Sequence, residues 1–193
     1  DSLLKFIEEN ALMVIGMEHT IDTVFPVIGA FTGSIDLLLA DADGNLVIVD
    51  MKWNEGKTYN RRLEKGNTLQ LALYRKAMET DGHKVVCEGY FVLPQRKFLT
   101  SVDYLQPSDI VEIIEGEQFG DHFELACNSY EYRMEQIEQG IIEEAEGFSL
   151  ADIQYHKDAN TRRLYPLERA YEDDTTKSSP YGTPNLILKG GLA

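Results

Sequence analysis

The sequence predicts a mixed α/β fold, a central mixed β-sheet flanked by helices, with the element order α-β-β-β-α-β followed by a helical and irregular C-terminal extension. Three observations carry this. Three apolar, β-branched runs follow one another closely between residues 11 and 53. A stretch of helical periodicity follows them, and then a further apolar run at 84–93 closed by Pro94. A meander of antiparallel strands, then a helical crossover to another strand, implies a sheet of mixed direction with helices packed on it.

The elements follow in order. Segment 2–9 (SLLKFIEE) suits a helix, and 11–21 (ALMVIGMEHTI), 29–40 (GAFTGSIDLLLA) and 45–53 (NLVIVDMKW) read as strands. Between the last two lies Asp41-Ala42-Asp43-Gly44, a strong hairpin signal. From Arg61 to about Thr80 the pattern is helical, with Leu69, Ala72, Leu73 and Ala77 on one stripe facing the sheet, and Asp81-Gly82 stops it. Ser108 to Glu115 is expected to be a short helix capped by Ser108. Segment 129–146 is expected to be an acidic amphipathic helix with Gly140 inside it, and the proline-containing tail 150–193 to be irregular. Residues 1–105 would form the core and 106–193 an extension packed on it, one domain overall.

Composition removes several classes of function. The 193 residues are 43% hydrophobic, enough for a packed core. No apolar run reaches the roughly 18–20 residues of a membrane span, and no secretory signal opens the chain, so a cytoplasmic location is expected. The chain starts at Asp1 rather than Met and is expected to be a fragment. Two distant cysteines, Cys87 and Cys127, exclude a four-cysteine metal site within this chain. A formal charge of −15 argues against a protein that coats nucleic acid, though not against one that meets DNA through a local patch.

Strand alternation locates the chemistry. Asp50 and Lys52 share a face with Leu46 and Ile48, and Asp36 shares one with Ser34 and Leu38. A three-residue loop Ala42-Asp43-Gly44, with glycine in the left-handed position, sets Asp41 opposite Asn45 and hence Asp36 opposite Asp50, whereas a one-residue slip would separate them. Two close carboxylates repel unless a cation intervenes. A divalent ion of the magnesium type takes oxygen ligands and binds through one or two carboxylates plus substrate phosphate. The lysine two residues on can orient the attacking water or offset phosphate charge. An isolated D-x-K is more often a solvated surface pair, but here it closes the run Leu46–Val49, where charges have little packing reason to be. On the following helix, Gln70 and Tyr74 lie one turn apart beside the apolar stripe.

Gly33-Ser34-Ile35-Asp36, then Val47-Ile48-Val49-Asp50-Met51-Lys52, then Gln70-Leu71-Ala72-Leu73-Tyr74 resembles the RecB-like branch of the PD-(D/E)XK nuclease superfamily. The branch pattern is G-x-x-D, an apolar strand ending in D/E-x-K, and Q-x-x-x-Y on the next helix. All three parts occur in order within about residues 12–95. The resemblance implies a restriction-endonuclease-like core, with Asp36 and Asp50 as ligands of Mg²⁺ or Mn²⁺ and the Met51 carbonyl as a further ligand. It implies that Lys52 positions the nucleophilic water and that Gln70 and Tyr74 support the site or contact the DNA backbone. Glu18 resembles the glutamate that often precedes the G-x-x-D strand, and the resemblance makes it a further candidate metal ligand. Many members also use a histidine from a helix further upstream. His19 is the only histidine before Asp36, and on the strand reading it points away from Glu18.

Between Lys52 and Lys76 stand seven basic residues (Lys52, Lys57, Arg61, Arg62, Lys65, Arg75 and Lys76) and two acidic ones, Glu55 and Glu64. Such a strip on an acidic chain suits guided phosphate contact, and equally an ordinary solvated helix face. Trp53 and Tyr59 flank the site as candidates for stacking on splayed bases or for packing. The expected function is a metal-dependent DNA nuclease, an exonuclease or flap-type endonuclease of repair, recombination or phage DNA processing, with DNA and a helicase or recombination protein as partners. The alternatives are a non-catalytic DNA-binding module on the same fold and an acidic interaction domain that docks a partner through 129–146.

Overall fold

The computed structural model describes residues 2–54, 56–66, 68–116 and 122–140. Along the chain run α1 (Ser2–Glu9), β1 (Met13–Phe25), β2 (Gly29–Ala40), β3 (Leu46–Lys52), α2 (Lys57–Glu64), α3 (Leu69–Thr80), β4 (Val85–Val92), β5 (Lys97–Thr100), β6 (Val111–Ile113) and α4 (His122–Glu138). The strands form one sheet in the order β1-β2-β3-β4-β5-β6. The first three are antiparallel neighbours, and β4 lies parallel to β3 after the α2–α3 crossover. β5 is antiparallel to β4, and β6 parallel to β5. The α-β-β-β-α-β order and the mixed sheet therefore hold.

β3 shows why the strands settle where they do. Leu46 to Asp50 are all buried, as expected of a central strand covered on both faces. The alternation splits its side chains between two cores. Val47 and Val49 join Leu37, Leu39, Phe91 and Phe98 under α1, whose Phe6 is fully buried with its ring 4.7 Å from that of Phe98. Leu46 and Ile48 join Leu38, Ala40, Tyr74, Ala77 and Met78 under α3. A third cluster, including Tyr59, Leu63, Leu71, Tyr90 and Val92, seats α2 and the start of α3. Asp50 and Lys52 continue the face on which α3 lies.

The β2–β3 turn fixes the register. The Asp41 N–H donates to the Asn45 carbonyl at 2.9 Å, and the Gly44 N–H to the Asp41 carbonyl at 3.1 Å. Gly44 has φ +80°, the left-handed conformation in which only glycine is unstrained. The Asp41 carboxylate accepts the N–H groups of Asp43 and Asn45 and the Tyr104 hydroxyl. The Tyr104 and Asn45 hydrogen bonds hold its carboxyl down at about 2. The pairing that results, Leu37 with Val49 and Ala40 with Leu46, is the one expected from a three-residue loop.

Five expectations are corrected. The helix foreseen from Arg61 to Thr80 is two helices, interrupted at Gly66, which has φ +62°. The buried face of the second is Leu71, Tyr74, Ala77 and Met78; of the expected stripe Ala77 lies on it, while Leu69, Ala72 and Leu73 are half-buried beside it. Residues 111–113 form strand β6, not a helix. The Ser108 hydroxyl does accept the N–H groups of Ile110 and Val111, but this local turn feeds a strand. The sheet thus runs past residue 105, the expected edge of the core. The helix expected over 129–146 begins at His122 and ends at Glu138, with Gly140 beyond it at φ +69°. Residues 141–146 and the tail 150–193 lie outside the described residues. The chain divides into two compact units, Asp1–Phe123 and Glu124–Ala193. No helix among the described residues is long and apolar enough to cross a membrane.

Replacing Gly44 with alanine should cost about 1 kcal/mol of unfolding free energy, the penalty for a side chain in left-handed backbone. Urea denaturation of the two proteins measures it.

Candidate active site

The site forms where the β2–β3 ladder gives out. The last ladder pair is Leu37 with Val49, and one step further along the same register brings Asp36 opposite Asp50. There Asp36 takes over from the backbone ladder: its Oδ2 accepts the Met51 N–H at 2.7 Å. Asp36 is half-buried and Asp50 only 3% exposed. Lys52 Nζ stands 2.6 Å from Asp50 Oδ2. That oxygen is buried, and the Lys52 ammonium is the cation held against it. Burial pushes the Asp50 carboxyl up to about 6; Lys52 opposes this, and the neighbouring Asp36 charge adds to it.

The ammonium of Lys52 is confined by two aromatic faces, 5.8 Å from the Tyr90 ring centroid and 6.0 Å from that of Tyr59. The two rings pack 5.0 Å apart, and the Arg62 guanidinium lies over Tyr59 at 5.5 Å. Tyr90 is paired with Asp50 across the parallel β3–β4 ladder. Burial, with the Asp50 charge beside it, raises its hydroxyl pKa well above the ordinary value. Sequence reasoning missed Tyr90, because parallel register carries no turn from which to count. Tyr59 is 6% exposed and packs, so it is not a stacking surface.

Gln70 and Tyr74 form the neighbouring part. Gln70 Nε2 donates to the Tyr74 hydroxyl at 3.0 Å. Tyr74 is buried to 6% exposure while Gln70 is exposed, so the pair spans from core to surface. Gly33 accounts for how closely α3 lies on β2: a Cβ there would come 3.1 Å from Tyr74 Cε1 and 3.2 Å from the Phe31 ring. The glycine of the G-x-x-D motif is therefore the seat of the motif tyrosine.

Glu18 continues the β1–β2 register opposite Asp36, but with φ +50°, a strained backbone for a non-glycine residue. Its exposed carboxylate accepts the Ser34 hydroxyl at 3.3 Å. Among the described residues no three His, Cys, Asp or Glu side chains gather into a group that could hold an ion. His19 pairs with Ile35, one step out of phase with Asp36. At Met51 the hydrogen bond formed in the site is that of the N–H group.

The basic strip is narrower than expected. Arg75 is committed inward, with Nε 2.9 Å from Glu88 Oε2, a second nitrogen on the same oxygen, and Nη1 2.7 Å from the Val85 carbonyl. Lys76 lies over the Phe123 ring at 5.7 Å. Lys57, Arg61, Arg62 and Lys65 remain exposed on and beside α2.

A family model of the PD-(D/E)XK nuclease superfamily matches residues 4–159. The chain belongs to that superfamily, a family of nucleases, and its mixed sheet flanked by helices fits that membership. The search of curated proteins found no match.

The raised Asp50 carboxyl has a thermodynamic consequence in the metal-free protein. A carboxyl that holds its proton more tightly folded than unfolded favours the fold at low pH, and that contribution is lost as pH rises through the folded pKa. Between about pH 4 and pH 7 the wild type should therefore lose on the order of 3 kcal/mol relative to Asp50→Asn. Denaturant unfolding of both proteins in chelator at the two pH values measures the difference.

Proposed function

We propose that this chain is a Mg²⁺- or Mn²⁺-dependent deoxyribonuclease of the RecB-like branch, an exonuclease or flap-type endonuclease, with Asp36, Asp50 and Lys52 as its reactive centre. The buried Asp50 Oδ2 carries the reading. A buried carboxylate beside a second one is costly to ionise, and the single ammonium of Lys52 offsets only one of the two negative charges, which leaves one for a divalent cation to offset. The donor set suits the ion: hard carboxylate oxygens, no thiolate, and room for substrate oxygens to take the remaining positions. Asp36 and Asp50 would hold it with the Met51 carbonyl, and Glu18 is left at the rim. Bound there, a hard divalent ion supplies Lewis-acid stabilisation of charge on the scissile phosphate.

The protein's own groups do the rest. Lys52, confined between Tyr59 and Tyr90, points an ammonium at the same small volume, where it orients the attacking water and offsets developing negative charge. Tyr90 and Tyr59 keep bulk water from the lysine, which strengthens its electrostatic effect. Gln70, exposed above Tyr74, offers an amide to the DNA backbone. The exposed cations of α2 guide a polyanion toward this edge of an otherwise acidic chain. The activity belongs with repair, recombination or phage DNA processing in the cytoplasm, beside a helicase or recombination protein.

Linear and single-stranded DNA incubated with the chain and Mn²⁺ or Mg²⁺ should be cleaved. Lys52→Ala should lower kcat by at least about 10²-fold, and Asp36→Ala and Asp50→Ala should abolish cleavage. In a readout independent of turnover, Mn²⁺ should raise the wild-type Tm but not that of Asp50→Ala. Cleavage unchanged by Asp50→Ala would overturn the assignment.

A further inference from the structure

We infer that Trp53 is a base-stacking residue that makes this rim of the site a seat for an unpaired DNA strand. The inference rests on the nuclease reading above and adds to it the form of substrate recognised. Trp53 is the only tryptophan in the chain and is 80% exposed, more than any other large apolar side chain described. An indole left in water forgoes the largest burial gain any side chain offers, so its position is not explained by the fold. It is the first residue beyond β3, immediately after Lys52. The backbone at that point is anchored, because the Lys52 carbonyl accepts the Leu93 N–H at 2.9 Å. The ring is thus carried on a fixed strand end rather than on a free loop.

The surroundings select the ligand. The two aromatics that confine Lys52, Tyr59 and Tyr90, are buried, whereas the indole of Trp53, the next residue in the chain, is open to solvent. Four residues on, the exposed Lys57 opens α2, whose outer side carries Arg61 and Arg62. An aromatic platform next to a cationic track is the arrangement that binds single strands: phosphates follow the charge while bases stack on the ring. Within a duplex the bases are already stacked on one another and offer the indole no face. A strand that is single at this point, as at a frayed end, gap or flap, does.

As the sole tryptophan, Trp53 reports its own occupancy. The full chain in chelator, where no cleavage occurs, is titrated with a short labelled dT oligonucleotide and with a blunt closed hairpin, and both label anisotropy and tryptophan emission are read. The dT strand should bind with quenched emission, and the hairpin should quench far less. Trp53→Ala should weaken dT binding by roughly 5- to 100-fold, the range that one stacked base supplies, with a smaller effect on the hairpin, and Trp53→Phe should recover most of the loss. An unchanged circular dichroism spectrum shows that the variants fold. DNA binding with unaltered emission, or equal affinity of Trp53→Ala for the dT strand, would overturn the stacking role and leave the nuclease assignment standing. Failure of both DNAs to bind would also overturn it, and the Mn²⁺ cleavage assay then judges the nuclease assignment separately.

Discussion

One hairpin register governs the chemistry of this molecule. Gly44 in its left-handed conformation and the Asp41 hydrogen bonds set a three-residue loop. Everything upstream on β2 then has a fixed partner on β3. Shift the pairing by one residue and Asp36 would face the Phe6 core while Asp50 stayed on the α3 side. In the register observed, two strands run fully apolar through the centre of the sheet and give up their ladder at the point where two acids and a lysine appear. The cost of placing Asp50 there is visible as a carboxyl shifted toward neutrality. The fold tolerates it because Val47, Val49, Leu46 and Ile48 on the same strand are buried almost completely on both faces.

Much of this was legible in the sequence, and for local reasons. Strand periodicity, the turn at Asp41–Gly44 and the crossover order are set by nearest-neighbour chemistry, so β1 to β4 and the opposition of Asp36 and Asp50 could be counted out. The errors arose where tertiary packing decides. Ser108 carries the same hydroxyl-to-amide signal whether a helix or a strand follows, and pairing with β5 chose the strand. Gly66 divides the predicted helix into two, and the face of the second that the sheet and its neighbours cover includes Tyr74 and Met78, which the apolar periodicity did not single out. Arg75 looked like part of a cationic surface and proved to be a tie to Glu88, a residue 13 positions away. Tyr90 could not be found at all, since its place beside Asp50 depends on a parallel register set across the α2–α3 crossover.

The electrostatic design is one of contrast. The chain carries a net charge of −15, and among the described residues the exposed cations Lys57, Arg61, Arg62 and Lys65 lie on and next to one short helix. On the proposed nuclease reading, these cations are the groups beside the site that would draw a nucleic-acid backbone to it. The chain's membership of the PD-(D/E)XK superfamily accords with the proposal of a small set of reactive groups at this sheet end.

The contact between Lys52 and Asp50 makes the two proposed reactive groups interdependent. The ammonium is part of what keeps the aspartate ionised, since it opposes the rise caused by burial. Deleting the amine thus also makes the carboxylate a poorer anion, and deleting the carboxylate releases the amine from its tether. Kinetic losses from single substitutions here overlap, and a double-mutant cycle, rather than a sum of individual defects, is the form in which their contributions can be apportioned.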